Sequence, residues 1–132
     1  MEGLALRKTL GGSLEEVRAR VEAALKEEGF GILTEIDVAG VLKARLGLEH
    51  PPYRILGACN PGLAARALEA EPDLGLLLPC NVVLRQKAEG VEVLIQDPEG
   101  MFALLPEAVR KRLGSLPQEA RERLARALAR LD

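Results

Sequence analysis

The sequence predicts an α+β fold in a single domain over residues 1–132. Runs with the alternating apolar pattern of strands and runs with helical periodicity follow one another without a regular strand–helix–strand rhythm. Glu89-Gly90 separates two apolar runs as a hairpin turn does, and a hairpin joins antiparallel strands. Both observations disfavour a doubly wound parallel sheet. The chain shows no internal repeat or linker-like tract, and 132 residues is the usual size of one domain.

The first part of the chain is predicted to form a strand, a helix and a second strand. Residues 4–10 are a short, partly alternating run that ends at a pair of glycines. Ser13 and Glu16 have the spacing of a capping box, so we expect a helix to begin there and to end at Gly29. Residues 30–36 then alternate in the manner of a second strand.

A short helix, a buried strand and a further helix are predicted next. Asp37 can cap the short helix, which Gly47 closes. The apolar face of this helix is expected to carry Val38, Val41, Leu42 and Leu46. Tyr53–Cys59 is apolar enough for a buried strand. A helix follows it, because Asn60 is a favoured N-cap and the next residue is a proline, which suits a first helical turn.

The last third is predicted to contain a hairpin and two helices. The run Leu74–Arg85 has strand character, and its internal proline requires an edge or a bulge there, since proline cannot donate a ladder hydrogen bond. A turn over Asp97–Gly100 leads to a helix over Phe102–Leu113, which is expected to be irregular at Pro106. The final helix begins with a second capping-box pattern at Ser115.

Composition excludes several classes of function. A formal net charge of −2 disfavours a nucleic-acid-binding protein, which usually carries a basic stripe. No apolar run approaches the roughly 18 residues of a membrane-spanning helix, and the N-terminus lacks the pattern of a signal peptide. We therefore expect a cytoplasmic protein with no membrane partner, in which the two cysteines are reduced. Few aromatics, few amides and a preference for Arg over Lys fit a thermophile, although high-GC coding bias gives the same pattern.

One motif between a predicted strand and helix resembles half of a phosphate-binding loop. Gly57 and Gly62 have the spacing of its outer glycines. Leu63 stands where that loop needs its lysine, and Ala64 where it needs the magnesium-binding hydroxyl. The sequence therefore excludes a nucleoside triphosphatase.

The same helix start is nevertheless a candidate binding site for a small anionic molecule. Backbone amides at a helix N-terminus attract anions, and those near Gly62 are expected to lie beside Tyr53 and Arg54. The side-chain amides of Asn60 and Asn81 offer further hydrogen bonds. The alternative is that Asn60 only caps its helix and that no ligand binds.

The repeated dipeptide Cys59-Asn60 and Cys80-Asn81 supports a second hypothesis, a thiol-dependent redox or sulfur-carrying protein. The spacing is not that of the usual redox motif, and free cysteines often serve as small buried apolar residues. Two cysteines and the single His50 are too few ligands for a structural zinc site, so no metal is predicted. No catalytic residue and no cofactor follow from the sequence, and whether the protein is an enzyme stays open.

The segment Gly75–Pro79 is more apolar than a small monomer readily exposes at a sheet edge, which suggests a homodimer. A third hypothesis is that the chain is a structural or interaction module without a ligand. An absence of any cleft near Cys59 would favour this third hypothesis.

Three strings together resemble the family catalogued as domain of unknown function 302, over its full length. They are FGILTEIDV at Phe30–Val38, PPYRILGACNPGLAARAL at Pro51–Leu68 and LGLLLPCNVVL at Leu74–Leu84. The resemblance implies a compact α+β fold in which helices back a curved, mainly antiparallel sheet, similar to the TATA-binding-protein-like arrangement. It implies no DNA-binding role, no reaction and no catalytic residues.

Overall fold

A computed structural model describes residues 2–132 and contains one five-stranded sheet in the order β1-β5-β4-β3-β2. Every neighbouring pair of strands is antiparallel. The strands are β1 (Ala5–Leu10), β2 (Gly31–Asp37), β3 (Tyr53–Cys59), β4 (Cys80–Lys87) and β5 (Gly90–Gln96). The helices are α1 (Leu14–Glu27), α2 (Val38–Leu46), α3 (Pro61–Ala70), α4 (Pro98–Phe102), α5 (Glu107–Leu113) and α6 (Leu116–Ala129), with a 3-10 helix over Pro72–Leu77. The predicted fold class is confirmed.

The two faces of the sheet differ in what covers them. Alternate residues of the central strands are fully buried on one face, where α1 packs on β4 and α6 packs on β1. The residues that the strands bury there are Leu56, Ala58, Val82, Leu84, Val91, Val93 and Ile95. The residues between them point to the opposite face, which we call the open face. Its central side chains Ile55, Val83 and Leu94 are only half-buried.

Local signals in the sequence place several helix ends correctly. Ser13 and Glu16 form the expected capping box at the start of α1. Asn60 caps α3 with the proline at the first helical position, and Gly47 closes α2 in the left-handed conformation. These ends depend on residues a few positions apart, so the sequence contains the information needed to predict them.

Other local predictions differ from the structure. Leu74–Leu78 does not continue the strand: residues 72–77 form the 3-10 helix, and β4 begins at Cys80 after a cis Leu78-Pro79 peptide. Pro79 lies just before β4, which is a central strand, and not within a strand at the edge or bulge that the sequence predicts there. The turn expected over Asp97–Gly100 is instead the start of α4, and the helix expected over 102–113 forms only as α5, after the predicted irregularity at Pro106. Ser115 makes no side-chain cap hydrogen bond.

Helix α2 lacks the buried apolar face that its sequence predicts. None of its residues is buried, and Val41 and Leu46 are 46% and 72% exposed. The reason is its position: α2 joins the end of β2 to the start of β3, and its main packing partner is β3. Within residues 2–132, no helix has the length and apolarity needed to cross a membrane.

Candidate functional site

A pocket with a volume of about 370 Å³ opens at the end of the sheet where β3 finishes and β4 starts. We call it the β3–β4 pocket. Its lining comes from the start of β2, the β3–α3 junction, the 3-10 segment, α4 and α6. The lining side chains include Phe30, Leu33, Cys59, Asn60, Leu63, Ala64, Leu68, Pro79, Cys80, Phe102, Leu116 and Ala120. Almost all of this surface is apolar.

Asn60 stands at the wall of the pocket, but the fold already uses its side-chain amide. Its Oδ1 accepts a hydrogen bond from the backbone N–H of Leu63 at 3.2 Å, which caps α3. Its Nδ2 donates to the backbone carbonyl of Glu28 at 3.4 Å and so ties the end of α1 to the start of α3. Gly29 is required beside it, because a Cβ there would lie 2.9 Å from the Asn60 Nδ2. The geometry therefore supports the structural role of Asn60.

Gly57 shapes the sheet just below the pocket. A Cβ at this position would lie 2.2 Å from the Thr34 Oγ1 and 2.8 Å from the Pro79 Cγ. Neighbouring side chains thus occupy the space that any larger residue would need. The glycine lets β2 and the residue before β4 close over β3 on the open face.

The two cysteines meet at the pocket, on adjacent strands, and both are free thiols. Cys80 pairs with Ala58 in the β3–β4 register, so Cys59 is displaced from Cys80 by one residue. Successive residues of a strand point to opposite faces, and Cβ vectors that diverge in this way do not suit a disulfide. Burial, and then the charge of Cys59, raise the pKa of the Cys80 thiol to about 11. Cys80 is therefore protonated at neutral pH.

Tyr53 and Arg54 lie far from the Asn60 helix start, contrary to the expectation that they would adjoin it. They occupy the opposite end of β3, and six residues of strand at about 3.3 Å each separate Arg54 from Asn60 by roughly 20 Å. Arg54 faces the helices instead, where it forms ion pairs with Glu15 and, at 3.2 Å, with Glu35. These partners, Glu15 first, raise its pKa.

The remaining predicted site residues divide between two places. Asn81 lies on the open face and, with Tyr53, lines a separate groove there. Gly62 is exposed at the start of α3, with the Asn60 Oδ1 as the atom nearest to a Cβ built on it. The structure therefore brings Cys59, Asn60 and Cys80 together and separates them from Tyr53, Arg54 and Asn81.

The part of the pocket that comes from the end of the chain is not predicted from the sequence. Phe102, Leu116 and Ala120 line it, although they are more than forty residues beyond Cys59. The apolar periodicity of α6 predicts that this helix packs on something, but it does not identify the partner. Among the residues that the structure describes, none of those lining the pocket is charged. Among residues 2–132, no group of three or more His, Cys, Asp or Glu side chains can hold a metal ion.

Comparisons with known proteins give a family and a fold. The model of the family described as "Domain of unknown function DUF302" matches residues 6–131. The crystal structure of an uncharacterized conserved protein DUF302 from Bacillus stearothermophilus is similar, with 28% sequence identity and a TM-score of 0.86. The match covers 98% of each chain. No protein in the curated comparison matches this chain.

Proposed function

This chain belongs to the family of domains of unknown function DUF302, and we propose that it binds a small, largely apolar molecule in the β3–β4 pocket. The observation that carries the proposal is the pocket itself, about 370 Å³ in volume and almost wholly apolar in its lining. Small-molecule sites are typically concave, mostly apolar and about 300–1,000 Å³ in volume. Three exposed leucines, Leu33, Leu68 and Leu76, also lie on the elements that form the pocket.

The proposal replaces the anionic ligand expected at this helix start. An anion needs a cation or free donors, and Arg54 is engaged elsewhere while Asn60 caps α3. A neutral ligand with an apolar body needs neither. Its affinity would come from apolar surface removed from water, at about 25 cal/mol per Å².

A pair of alanines on α3 supplies the test. Ala64 lines the pocket and Ala65, the next residue, is exposed and does not. We expect indole or octanol to raise the melting temperature of the wild-type protein in a concentration-dependent way. At a ligand concentration a hundredfold above Kd, binding adds about 2.7 kcal/mol to the free energy of unfolding. Ala64→Leu should remove this shift by filling the pocket, and Ala65→Leu should keep it.

Two results would count against binding in this pocket. One is a flat melting temperature for all apolar probes over their soluble range. The other is an equal loss of the shift in Ala64→Leu and Ala65→Leu, because that loss would trace to the helix rather than to the pocket.

The two thiols at the pocket wall support a second candidate function, in which a bound molecule reacts with a cysteine. Only the thiolate is a nucleophile, so Cys80, with its pKa of about 11, is a poor candidate and Cys59 is the better one. Iodoacetamide labelling followed by intact-mass measurement tests this idea. Rapid labelling that Cys59→Ser abolishes and Cys80→Ser retains would support it. Labelling no faster than in the denatured chain would refute the idea that a cysteine reacts with a bound molecule.

Location and assembly belong to the same proposal. A cytoplasmic site of action suits a chain whose two cysteines are both free thiols.

A homodimer is supported by Leu76, which is 89% exposed beside the pocket. Sedimentation velocity tests it: we expect a dimer that Leu76→Glu dissociates, and a wild-type monomer would refute it. The thermophilic source stays a prediction, which a melting temperature above 70 °C, beyond the roughly 45–65 °C of mesophilic domains, would support.

A further inference from the structure

The open face of the sheet contains a groove, about 380 Å³ in volume, that is separate from the β3–β4 pocket. We call it the open-face groove. Strands β1, β5, β4 and β3 form its floor, and Met101 of α4 closes one side. Tyr53 and Asn81, which the sequence predicts beside the Asn60 helix start, both line this groove.

The strand register places two rows of side chains in the groove, with one arginine in each row. In one row, Val83 lies opposite Leu94, and Leu94 lies opposite Arg7. In the next row, Tyr53 lies opposite Arg85 and Arg85 lies opposite Glu92. The groove therefore has an apolar floor with guanidinium groups beside it. This is the arrangement that suits an amphipathic molecule rather than a purely apolar one.

The charges beside the apolar floor do not balance. Glu92 is the one carboxylate between two arginines, and its side chain is 9% exposed, whereas those of Arg7 and Arg85 are 39% and 41% exposed. Burial acts to raise the pKa of Glu92, but the hydrogen bond from Arg85 and the nearby positive charges outweigh it and hold the pKa low. Glu92 is therefore ionised at neutral pH. Two guanidiniums against one carboxylate leave a net positive charge at the groove.

Donors remain available for a ligand. Arg85 directs its Nε and Nη2 to the Glu92 Oε1 at 2.6 Å, and Arg7 reaches the Oε2 with its Nη1 at 3.5 Å. A guanidinium carries five N–H donors, so both arginines keep several. Glu92 also holds both guanidiniums in place before any ligand arrives, which lowers the ordering cost of binding.

We propose that the open-face groove binds a small organic carboxylate with an apolar body. The carboxylate accepts hydrogen bonds from Arg7 and Arg85, and the body lies on Val83 and Leu94. Tyr53 closes the polar end with its ring. This site is independent of the β3–β4 pocket, so either proposal can fail without the other.

The test uses naphthoate as the probe and its neutral counterpart naphthamide as the chemical control, with binding measured by isothermal titration calorimetry. Naphthoate should bind the wild-type protein at least roughly tenfold more tightly than naphthamide, because only the anion pairs with the arginines. Its affinity should also fall as salt is raised.

Arg7→Gln is the main variant, because Arg7 is exposed and Arg85 continues to pair with the buried Glu92. We expect it to weaken naphthoate binding roughly tenfold and to leave naphthamide unchanged. Arg110→Gln removes the same charge from the exposed surface of α5 and should leave both affinities unchanged. Leu94→Gln should weaken both ligands, because Leu94 forms the apolar floor.

Three outcomes would overturn the proposal. Equal affinity for naphthoate and naphthamide would show that no cation is used. Loss of naphthoate binding in Ala64→Leu, with no change in Arg7→Gln, would place the probe in the β3–β4 pocket. A dimer in sedimentation that Arg7→Gln dissociates would show that a second copy of the chain occupies this groove.

Discussion

Replacing Gly57 by alanine should destabilise the protein through a steric conflict that the structure locates on two atoms. The new Cβ would lie 2.2 Å from the Thr34 Oγ1 and 2.8 Å from the Pro79 Cγ. Because Gly57 is buried in a central strand, the backbone cannot easily move away. Overpacking of this kind costs about 1–3 kcal/mol, which corresponds to a fall in melting temperature of roughly 3–12 °C for a chain of this size.

Urea denaturation with linear extrapolation measures the cost, and two further variants identify its origin. Gly31→Ala on the adjacent strand adds a Cβ with no atom within 4 Å, so it should be neutral or stabilise the fold by about 0.4–1 kcal/mol. Thr34→Ala combined with Gly57→Ala removes the closer contact and should recover part of the loss, while the contact with Pro79 remains. A cost below about 0.5 kcal/mol for Gly57→Ala would refute this reasoning. So would a double variant no more stable than Gly57→Ala.

Two further predictions concern the ties between α1, α3 and α6. Hydrogen bonds from Arg130 and then Arg126 hold the pKa of Glu28 below its ordinary range, so this carboxylate stabilises the fold at neutral pH. Its contribution should be lost as the pH falls through that lowered pKa. In urea titrations the wild-type protein should exceed Glu28→Gln in stability at pH 7, and the two should converge in strong acid; a difference that persists there would contradict the assignment. Asn60→Ala removes the cap on the Leu63 amide and should cost about 0.5–2 kcal/mol, and an unchanged urea midpoint would refute the capping role.

The predictability of this fold varies with the range of the interactions involved. The capping box at Ser13 and the Asn60 cap of α3 are correctly predicted, since each depends on residues within one helical turn. The 3-10 helix over Pro72–Leu77 is not, because its apolar composition suits a strand equally well. In the structure this segment packs beside α3.

The candidate site shows the same division. The Cys59-Asn60 and Cys80-Asn81 pairs stand out in the sequence, and the antiparallel pairing of β3 and β4 brings the two cysteines to one pocket. Tyr53 and Arg54 are close to Cys59 in sequence, yet they lie at the far end of the same strand. Proximity along an extended chain does not imply proximity in space, because a strand advances about 3.3 Å with every residue.

The sequence by itself determined the α+β class, the family, most helix ends and the hairpin between β4 and β5, because caps, periodicity and turn residues act over short distances. Only the tertiary structure decided which face of the sheet stays open and that α4 and α6 complete the β3–β4 pocket. It also decided that Arg7 and Arg85 converge on Glu92. These features depend on strand register and on contacts between distant segments; Arg7 and Glu92, for example, are 85 positions apart. Local patterns along the chain do not specify such contacts, since the same alternation is compatible with several registers and packing partners.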